Sequence, residues 1–345
     1  MAVDGVQRRL ALVQALADGA WHSGETIAEA MGVSRTAVWK HAAHLPDWGL
    51  ELESAAGQGY RLRGALSLLN EAELRAALPP ATRAELRELQ IAAELPSTNA
   101  ALLERTPATL PPGQFDLCLA EFQTAGRGRR GRNWVSPFAS GLCFSLAWAF
   151  AELPAGIGAL SLATGVAVRR ALMTLGTADR VQLKWPNDLL VDGRKLGGIL
   201  LELRAEAGGP AYVVIGIGLN LDLPPETRAA IARERAESGG QGLEVTDLAE
   251  VMDGVSPSRS LLAATLTAEL HAMLVQFTRE GFAPFHAEWS AADALRGQRV
   301  RWLAGTEPRE GVAAGIAEDG ALLVDTAPGR RESVHAGEVM QVRPA

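Results

Sequence analysis

Apolar residues recur at Val6, Leu10, Val13 and Leu16, the spacing of one buried helical stripe, and Gly19 ends that run. Ser23 is placed to cap a second, short helix through Ala30 with Ile27 turned inward. Ser34 is placed to cap a third helix reaching about Leu45, with Val38, Ala42 and Leu45 inward. Met31-Gly32-Val33 leaves only a tight turn between these two helices. Beyond Pro46 the period changes to alternation: Leu50-Glu51-Leu52-Glu53 and Tyr60-Arg61-Leu62-Arg63 flank Gly57-Gln58-Gly59 and predict a two-stranded wing. Residues 1–64 therefore read as a winged helix-turn-helix. A third helix of this kind enters the DNA major groove and would present Ser34, Arg35, Thr36, Trp39 and Lys40. Six basic against seven acidic side chains in residues 1–63 exclude an affinity built on bulk charge. Binding to DNA would rest on local placement and dimerisation, and a structural or protein-binding role fits the same pattern.

Residues 65–90 carry Leu66, Leu69, Leu74 and Leu78, then Pro79-Pro80 and a charged stretch from Arg83 to Glu88, and predict a helical connector. Strand-like runs follow at Phe115–Glu121, Gly141–Ala149, Val181–Lys184, Leu189–Val191, Lys195–Leu203 and Ala211–Leu219. Helical patterns cover about 97–104, 156–175 and 259–280. With Asp192-Gly193 and Gly208-Gly209-Pro210 as hairpin-type breaks, residues 91–294 predict a mixed α/β sheet domain with helices on one face. The segment Glu226–Gly242, rich in Ala, Glu, Arg and Gly, predicts a surface insertion or loop. In residues 295–345, short strands at Gly297–Val300, Gly311–Ile316, Ala321–Asp325 and Arg331–Val334, with an Asp319-Gly320 turn, predict a small β-barrel; a detachable β module that binds another protein fits equally. The fold class is α+β.

Composition narrows the setting. A 48% hydrophobic content suits a globular chain, and neither an eighteen-residue apolar run nor a secretory pattern is present, so the expectation is a cytoplasmic protein without membrane contact. Cys118 and Cys143 lie in apolar runs without metal-ligand spacing and read as buried thiols. The formal net charge is -7, yet residues 126–132 hold four arginines and three glycines. Positive charge so localised points to an anionic ligand, with glycine exposing backbone N–H groups and arginine supplying forked donors. A solvated loop touching nucleic acid nonspecifically is the alternative. Lysine occurs only at 40, 184 and 195.

Other blocks keep the loop company. Ser97-Thr98-Asn99 follows Pro96 and can cap a helix. Lys184-Trp185-Pro186-Asn187-Asp188 groups a cation, an aromatic and two short polar side chains. Lys195-Leu196-Gly197-Gly198 and Ile215-Gly216-Ile217-Gly218-Leu219-Asn220 place glycines in strands, where a ligand could approach the backbone. The spacing is that of neither a dinucleotide fingerprint nor a P-loop, and no serine–histidine–acid set or metal cluster is visible. The chemistry implied is positioning and charge stabilisation.

Taken together, Ser97-Thr98-Asn99, Gln123 through Trp134 with Ser136-Pro137, Lys184 through Asp188, Arg194 through Glu202 and Gly216 through Asn220 resemble the bacterial biotin–protein ligases that double as biotin-operon repressors. His22-Ser23-Gly24-Glu25, Val33-Ser34-Arg35, Asp47-Trp48-Gly49 and Gly57-Gln58-Gly59-Tyr60 resemble that family's regulatory winged helix. The resemblance implies activation of biotin with Mg-ATP to biotinyl-5'-AMP, then transfer to a lysine of the biotin carboxyl carrier protein of acetyl-CoA carboxylase. It also implies an SH3-like C-terminal barrel and a homodimer on operator DNA. By the same resemblance Ser97, Thr98, Asn99, Gln123 and Gly198 would line the biotin site. Arg127, Gly128, Arg129 and Lys195 would enclose the activated carboxyl and phosphate, with Lys195 and Arg129 catalytic. Arg130, Trp134, Lys184, Asn187, Asp188 and Asn220 would hold the nucleotide, Asp188 with its Mg2+. Two other functions fit the same resemblance: a ligase whose N-terminal unit only scaffolds, and an adenylate-sensing repressor with little turnover.

Overall fold

The computed structural model describes residues 2–105, 110–205, 210–237, 243–304 and 307–342. The N-terminal unit has three helices, α1 (Ala2–Leu16), α2 (Gly24–Met31) and α3 (Arg35–Ala42), and a hairpin of β1 (Leu52–Ala55) and β2 (Gly59–Leu62). Both predicted caps are in place: Ser23 Oγ accepts from the Thr26 N–H at 3.0 Å and Ser34 Oγ from the Ala37 N–H at 3.2 Å. Leu12, Val13, Leu16, Ile27, Val38, Ala42 and Leu45 form the core, which Trp48 closes at the border with the rest of the chain.

The connector is helical only in part. It comprises α4 (Glu71–Ala77) and α5 (Pro80–Glu85), after which β3 (Leu86–Leu95) pairs in parallel with β4 (Phe115–Gln123). The charged Arg87 and Glu88 hid this strand from patterning, because it is an edge strand and exposes them to water. Between the two strands stands α6 (Thr98–Leu103). The chain continues through β5 (Gly141–Phe150), α7 (Leu160–Leu172), β6 (Val181–Lys184), β7 (Asp188–Val191), β8 (Arg194–Ala205) and β9 (Ala211–Asn220). The sheet order is β3-β4-β5-β9-β8-β7-β6, antiparallel everywhere except β3–β4.

Of the surface insertion or loop expected over Glu226–Gly242, the described part is a helix and not a loop, α8 (Pro225–Glu237); having no apolar stripe, it gave no helical signal. Residues 238–242 of that segment, and Gly208-Gly209 of the predicted break, lie outside the described residues. Then come α9 (Leu248–Val251), α10 (Arg259–Glu280) and α11 (Ala283–Ala291). Helix α10 is long and apolar enough to cross a membrane by length and composition, but Leu262, Leu266, Leu270 and Leu274 are buried in the core. With α7 it covers the sheet face carrying Leu117, Leu119, Phe144, Ile215 and Ile217. On the opposite face α6 packs through Leu102 over Cys118, Ala147, Tyr212 and Val214.

The C-terminal strands are β10 (Arg299–Ala304), β11 (Glu307–Ile316), β12 (Leu322–Ala327), β13 (Arg330–Val334) and β14 (Val339–Gln341). They form an open antiparallel sheet, β13-β12-β11-β10-β14, where the sequence had predicted a barrel; among the described residues the two end strands are not paired. Trp185 Nε1 donates to the Gly320 carbonyl at 3.0 Å and Arg132 pairs with Glu338 at 2.6 Å, so this sheet holds two of the motif blocks. The winged helix is held as well. Trp48 stacks on Phe138 with centroids 4.4 Å apart, its Nε1 donates to Glu94 at 2.5 Å, and its carbonyl accepts from the Phe138 N–H at 3.0 Å.

Candidate active site

Every second residue of β5 and β9 faces away from the α7–α10 layer, which places Ser145, Gly216 and Gly218 on the open face beside α6. Ser97 caps that helix, its Oγ accepting from the Ala100 N–H at 3.5 Å. Gln123, at the end of β4, accepts at Oε1 from the Thr98 N–H at 2.8 Å and stands 3.2 Å from the Thr98 hydroxyl. Ser145 Oγ lies 2.7 Å from Thr98 Oγ1 and 2.5 Å from Asn99 Oδ1. Asn99 Nδ2 donates to Glu202 at 2.8 Å. Ser97, Thr98, Asn99 and Ser145 are all buried. One polar chain thus runs from Gln123 to Glu202. Sequence reading missed two of its links, although Ser145 signals itself as a lone hydroxyl in an otherwise apolar strand run.

The strand glycines make room, though the nearest groups are the protein's own. A Cβ on Gly216 would stand 2.3 Å from Asn99 Oδ1, and one on Gly218 would stand 2.5 Å from the Trp134 ring. The glycines therefore seat Asn99 and Trp134 against the sheet.

The arginine-glycine loop is a small folded unit. Arg127 bridges Asn133, Gly128 N–H donates to the Arg132 carbonyl at 2.7 Å, and Trp134 N–H to the Gly126 carbonyl at 2.9 Å. Arg130, exposed, occupies the corner at φ 56, the left-handed region. Arg127 reaches Glu202 at 3.3 Å and Arg129 donates to Asn187 Oδ1 at 3.3 Å. Burial, reinforced by neighbouring Arg130, pulls the Arg129 pKa below its ordinary value.

Beyond the loop, the β6–β7 turn holds a cis Trp185–Pro186 peptide and brings Lys184 and Asp188 opposite each other. Lys195 Nζ lies 2.5 Å from Asp188 Oδ1 and Lys184 Nζ 3.8 Å from Oδ2. Gly198 stands next to this pair: a Cβ there would lie 3.4 Å from Lys195 Nζ. Burial lowers the Lys184 pKa against the opposing pull of Asp188. Asn187 is tied to the Ile199 backbone, and Asn220 Nδ2 donates to the Lys195 and Thr246 carbonyls at 3.3 and 3.0 Å. Arg129, Lys184 and Lys195 together outnumber the single carboxylate of Asp188, which suits an anion. Among the described residues no group of three His, Cys, Asp or Glu side chains could hold a metal. One carboxylate fits a Mg2+ that takes its remaining ligands from phosphate oxygens and water.

Residues 244–246 brace Lys195: its N–H donates to the Glu244 carbonyl at 2.7 Å and its carbonyl accepts from Thr246 at 3.0 Å. Arg228 pairs with Asp247 and Glu250, and Arg194 with Glu250 at 2.5 Å. Hydrogen bonds from Arg228 and then Arg194 push the Glu250 pKa down to about 2. A depressed carboxylate stabilises the fold above its unfolded pKa, and the contribution is lost as pH falls through the folded value. Urea midpoints should therefore drop between about pH 4.5 and about 2. Glu250→Gln should flatten that part of the profile, and an unaltered slope would refute the assignment.

On the winged helix, Arg35, Thr36 and Trp39 line a cleft of about 270 Å³ with Gly24 and Tyr60. Trp39 is 62% exposed. Lys40 is exposed outside the lining, and Ser34 is engaged as the cap of α3. Gly24 and Tyr60 had not been predicted; only the meeting of wing and helix reveals them.

Comparisons with known proteins give the family. The model described as the biotin/lipoate A/B protein ligase family matches residues 92–220, an HTH domain model residues 8–61, and a biotin protein ligase C-terminal domain model residues 296–340. The chain is 39% identical over 316 residues to the bifunctional ligase/repressor BirA of Escherichia coli, covering 92% of each. It belongs to the bifunctional biotin ligase/repressor family. The ligase is also 36% identical over 262 residues to the biotin–[acetyl-CoA-carboxylase] ligase of Mycobacterium tuberculosis, over 74% of its own length and 90% of that protein's. A biotin protein ligase from Aquifex aeolicus, solved in complex with biotin and ATP, superposes with TM-score 0.59 at 26% identity, over 75% of this chain and 100% of that one.

Gly216 gives the ligase a sharp test. Gly216→Ala should displace the Asn99 amide and raise KM for biotin about tenfold, the loss of roughly one well-made hydrogen bond to a charged partner. A biotin titration with unchanged KM would contradict this.

Proposed function

We infer that the chain is an ATP-dependent biotin–protein ligase that forms biotinyl-5'-AMP and transfers the biotinyl group to a lysine of the biotin carboxyl carrier protein of acetyl-CoA carboxylase. The observation that carries the assignment of residues is the pairing of two unlike environments on one sheet face. One is a buried hydrogen-bonding chain suited to a ureido ring, from Gln123 through Thr98 to Asn99. The other is a cationic end, Arg129, Lys184 and Lys195, suited to carboxylate and phosphate.

In the first step a biotin carboxylate oxygen attacks the α-phosphorus of ATP and pyrophosphate leaves. Two anions must approach, so converging cations lower the barrier without a protein nucleophile or base. Lys195 is held by Asp188 and braced through its backbone, and so serves as a fixed charge at the reacting oxygens. Arg129, anchored on Asn187, and the Gly128 backbone close over the adenylate and exclude water. Trp134 packs beside the adenylate, Arg127 and Arg130 add charge, and Lys184 faces the polyphosphate. Mg2+ on Asp188 neutralises phosphate charge when bound. In the second step the carrier lysine amine attacks the carbonyl and AMP leaves. Release of pyrophosphate from ATP only when biotin is added tests the first step; biotin-independent release alone would refute the assignment.

Residues 1–64 read operator DNA in this proposal, through the cleft of Arg35, Thr36 and Trp39, with Ser34 and Lys40 beside it. Residues 65–90 connect them to the ligase domain, 91–294, and 295–345 form the C-terminal domain. The bulges between Ala313 and Gly315 and between Asp325 and Ala327 curl that sheet and support an SH3-like reading. A homodimer joined through its sheets would set two third helices on two half-sites, and adenylate would favour that dimer. A mobility shift at defined salt should strengthen on adding biotin with ATP; no dependence on them would contradict the repressor reading. The protein is placed in the cytoplasm, with its carrier and DNA.

A further inference from the structure

We propose that Glu202 is a positioning residue that sets the hydrogen-bond polarity of the biotin-ring pocket through Asn99, Ser145 and Thr98. The inference rests on assigning the Thr98–Gln123 pocket to biotin. Glu202 belongs to β8, the strand that also carries Lys195, and its side chain is 25% exposed. An ionised carboxylate only accepts, so the atom of Asn99 that faces it at 2.8 Å must be Nδ2. Nδ2 also donates to the Leu200 carbonyl at 3.3 Å, so both acceptors hold the amide in one orientation, with the charged Glu202 the shorter of the two. Asn99 Oδ1 then faces Ser145 Oγ at 2.5 Å, and the only hydrogen available between them is the serine's. Ser145 is fully buried and has one hydroxyl hydrogen. With that hydrogen committed to Asn99, Ser145 Oγ can only accept from the Thr98 hydroxyl, 2.7 Å away. Thr98 thus gives its proton to Ser145, leaving Gln123 Oε1 with the Thr98 backbone N–H. The oxygen of Thr98 is left with lone pairs and no free hydrogen. It becomes an acceptor, the polarity needed to receive a ureido N–H.

Glu202 also faces Arg127 at 3.3 Å, but that guanidinium is 44% exposed, and an exposed pair of this kind contributes little. Asn99 is 3% exposed. The buried hydrogen bond therefore dominates, and the effect of Glu202 on the pocket runs through Asn99.

The test compares steady-state constants of the full-length protein with biotin, Mg-ATP and purified carrier. Glu202→Gln keeps the shape but can present either end to Asn99, so the direction of the chain is left to the longer bond to the Leu200 carbonyl. KM for biotin should rise about tenfold, the scale of one hydrogen bond to a charged group. KM for ATP and kcat should stay within about twofold, because Arg129, Lys184 and Lys195 are untouched and the exposed Arg127 pair contributes little. Glu202→Asp, which retains an acceptor-only group, should recover part of the loss. Asn99→Ala combined with Glu202→Gln should be no worse than Asn99→Ala alone, since both act on one chain. A fully additive double variant, or a fall in kcat with unchanged KM for biotin, overturns the proposal. Thr98→Val separates the two levels. If it leaves KM for biotin unchanged, the pocket assignment fails and the inference with it. If it raises KM while Glu202→Gln does not, only the inference fails.

Discussion

Lys195→Ala is expected to slow biotin-dependent pyrophosphate release by about 10²- to 10³-fold, the usual cost of removing one preorganised charge or donor from a transition state. The lysine sits where two strands and a brace converge. Its Nζ is 2.5 Å from Asp188, and its backbone is bonded on both sides by residues 244–246. Such anchoring means that the charge need not reorganise as the carboxylate reaches the phosphate. Truncation removes the ammonium from beside Asp188, which still faces Lys184 at 3.8 Å, so an anion would meet a less positive site. The backbone bonds do not involve the side chain, and the melting temperature should change little. An undiminished burst of pyrophosphate would remove Lys195 from the chemistry.

The second large effect is structural. Arg259 and Glu121, 2% and 3% exposed, form a buried ion pair. Arg259 Nε also donates to the Gly141 carbonyl at 3.0 Å and Nη1 to the Ser67 carbonyl at 3.3 Å, while Glu121 accepts from the Leu69 N–H at 2.7 Å. The cluster fastens the connector to β4 and β5, two residues before Gln123. Arg259→Met leaves a buried carboxylate without its counter-charge and should cost about 3–5 kcal/mol in urea unfolding. Replacing both partners, Arg259→Met with Glu121→Leu, should recover much of that loss, since a well-packed apolar pair can substitute for an ionic one. A single variant within about 1 kcal/mol of wild type, the level of a surface pair, would refute the assignment.

Local patterns made much of the architecture legible. Ser23 and Ser34 cap the predicted helices, and the antiparallel strands from β5 to β9 lie close to where apolar runs placed them. Patterning failed where exposure masked it. Strand β3 carries edge charges, and α8 lacks an apolar stripe. The candidate residues were readable as blocks, but their arrangement was not, because the connections are non-local. Asn99 meets Glu202, Trp48 stacks on Phe138, and Arg132 reaches Glu338. Gly216 and Gly218 show the limit well. Their sequence setting announces a close approach, and only the fold shows that Asn99 and Trp134 make it.

Transfer of labelled biotin to purified carboxyl carrier protein tests the central claim most directly. With wild-type protein, ATP and Mg2+, label should appear on the carrier's acceptor lysine, and Lys195→Ala should abolish nearly all of it. Label that never reaches the carrier, although adenylate forms and stays bound, would contradict the ligase account and leave an adenylate-sensing repressor.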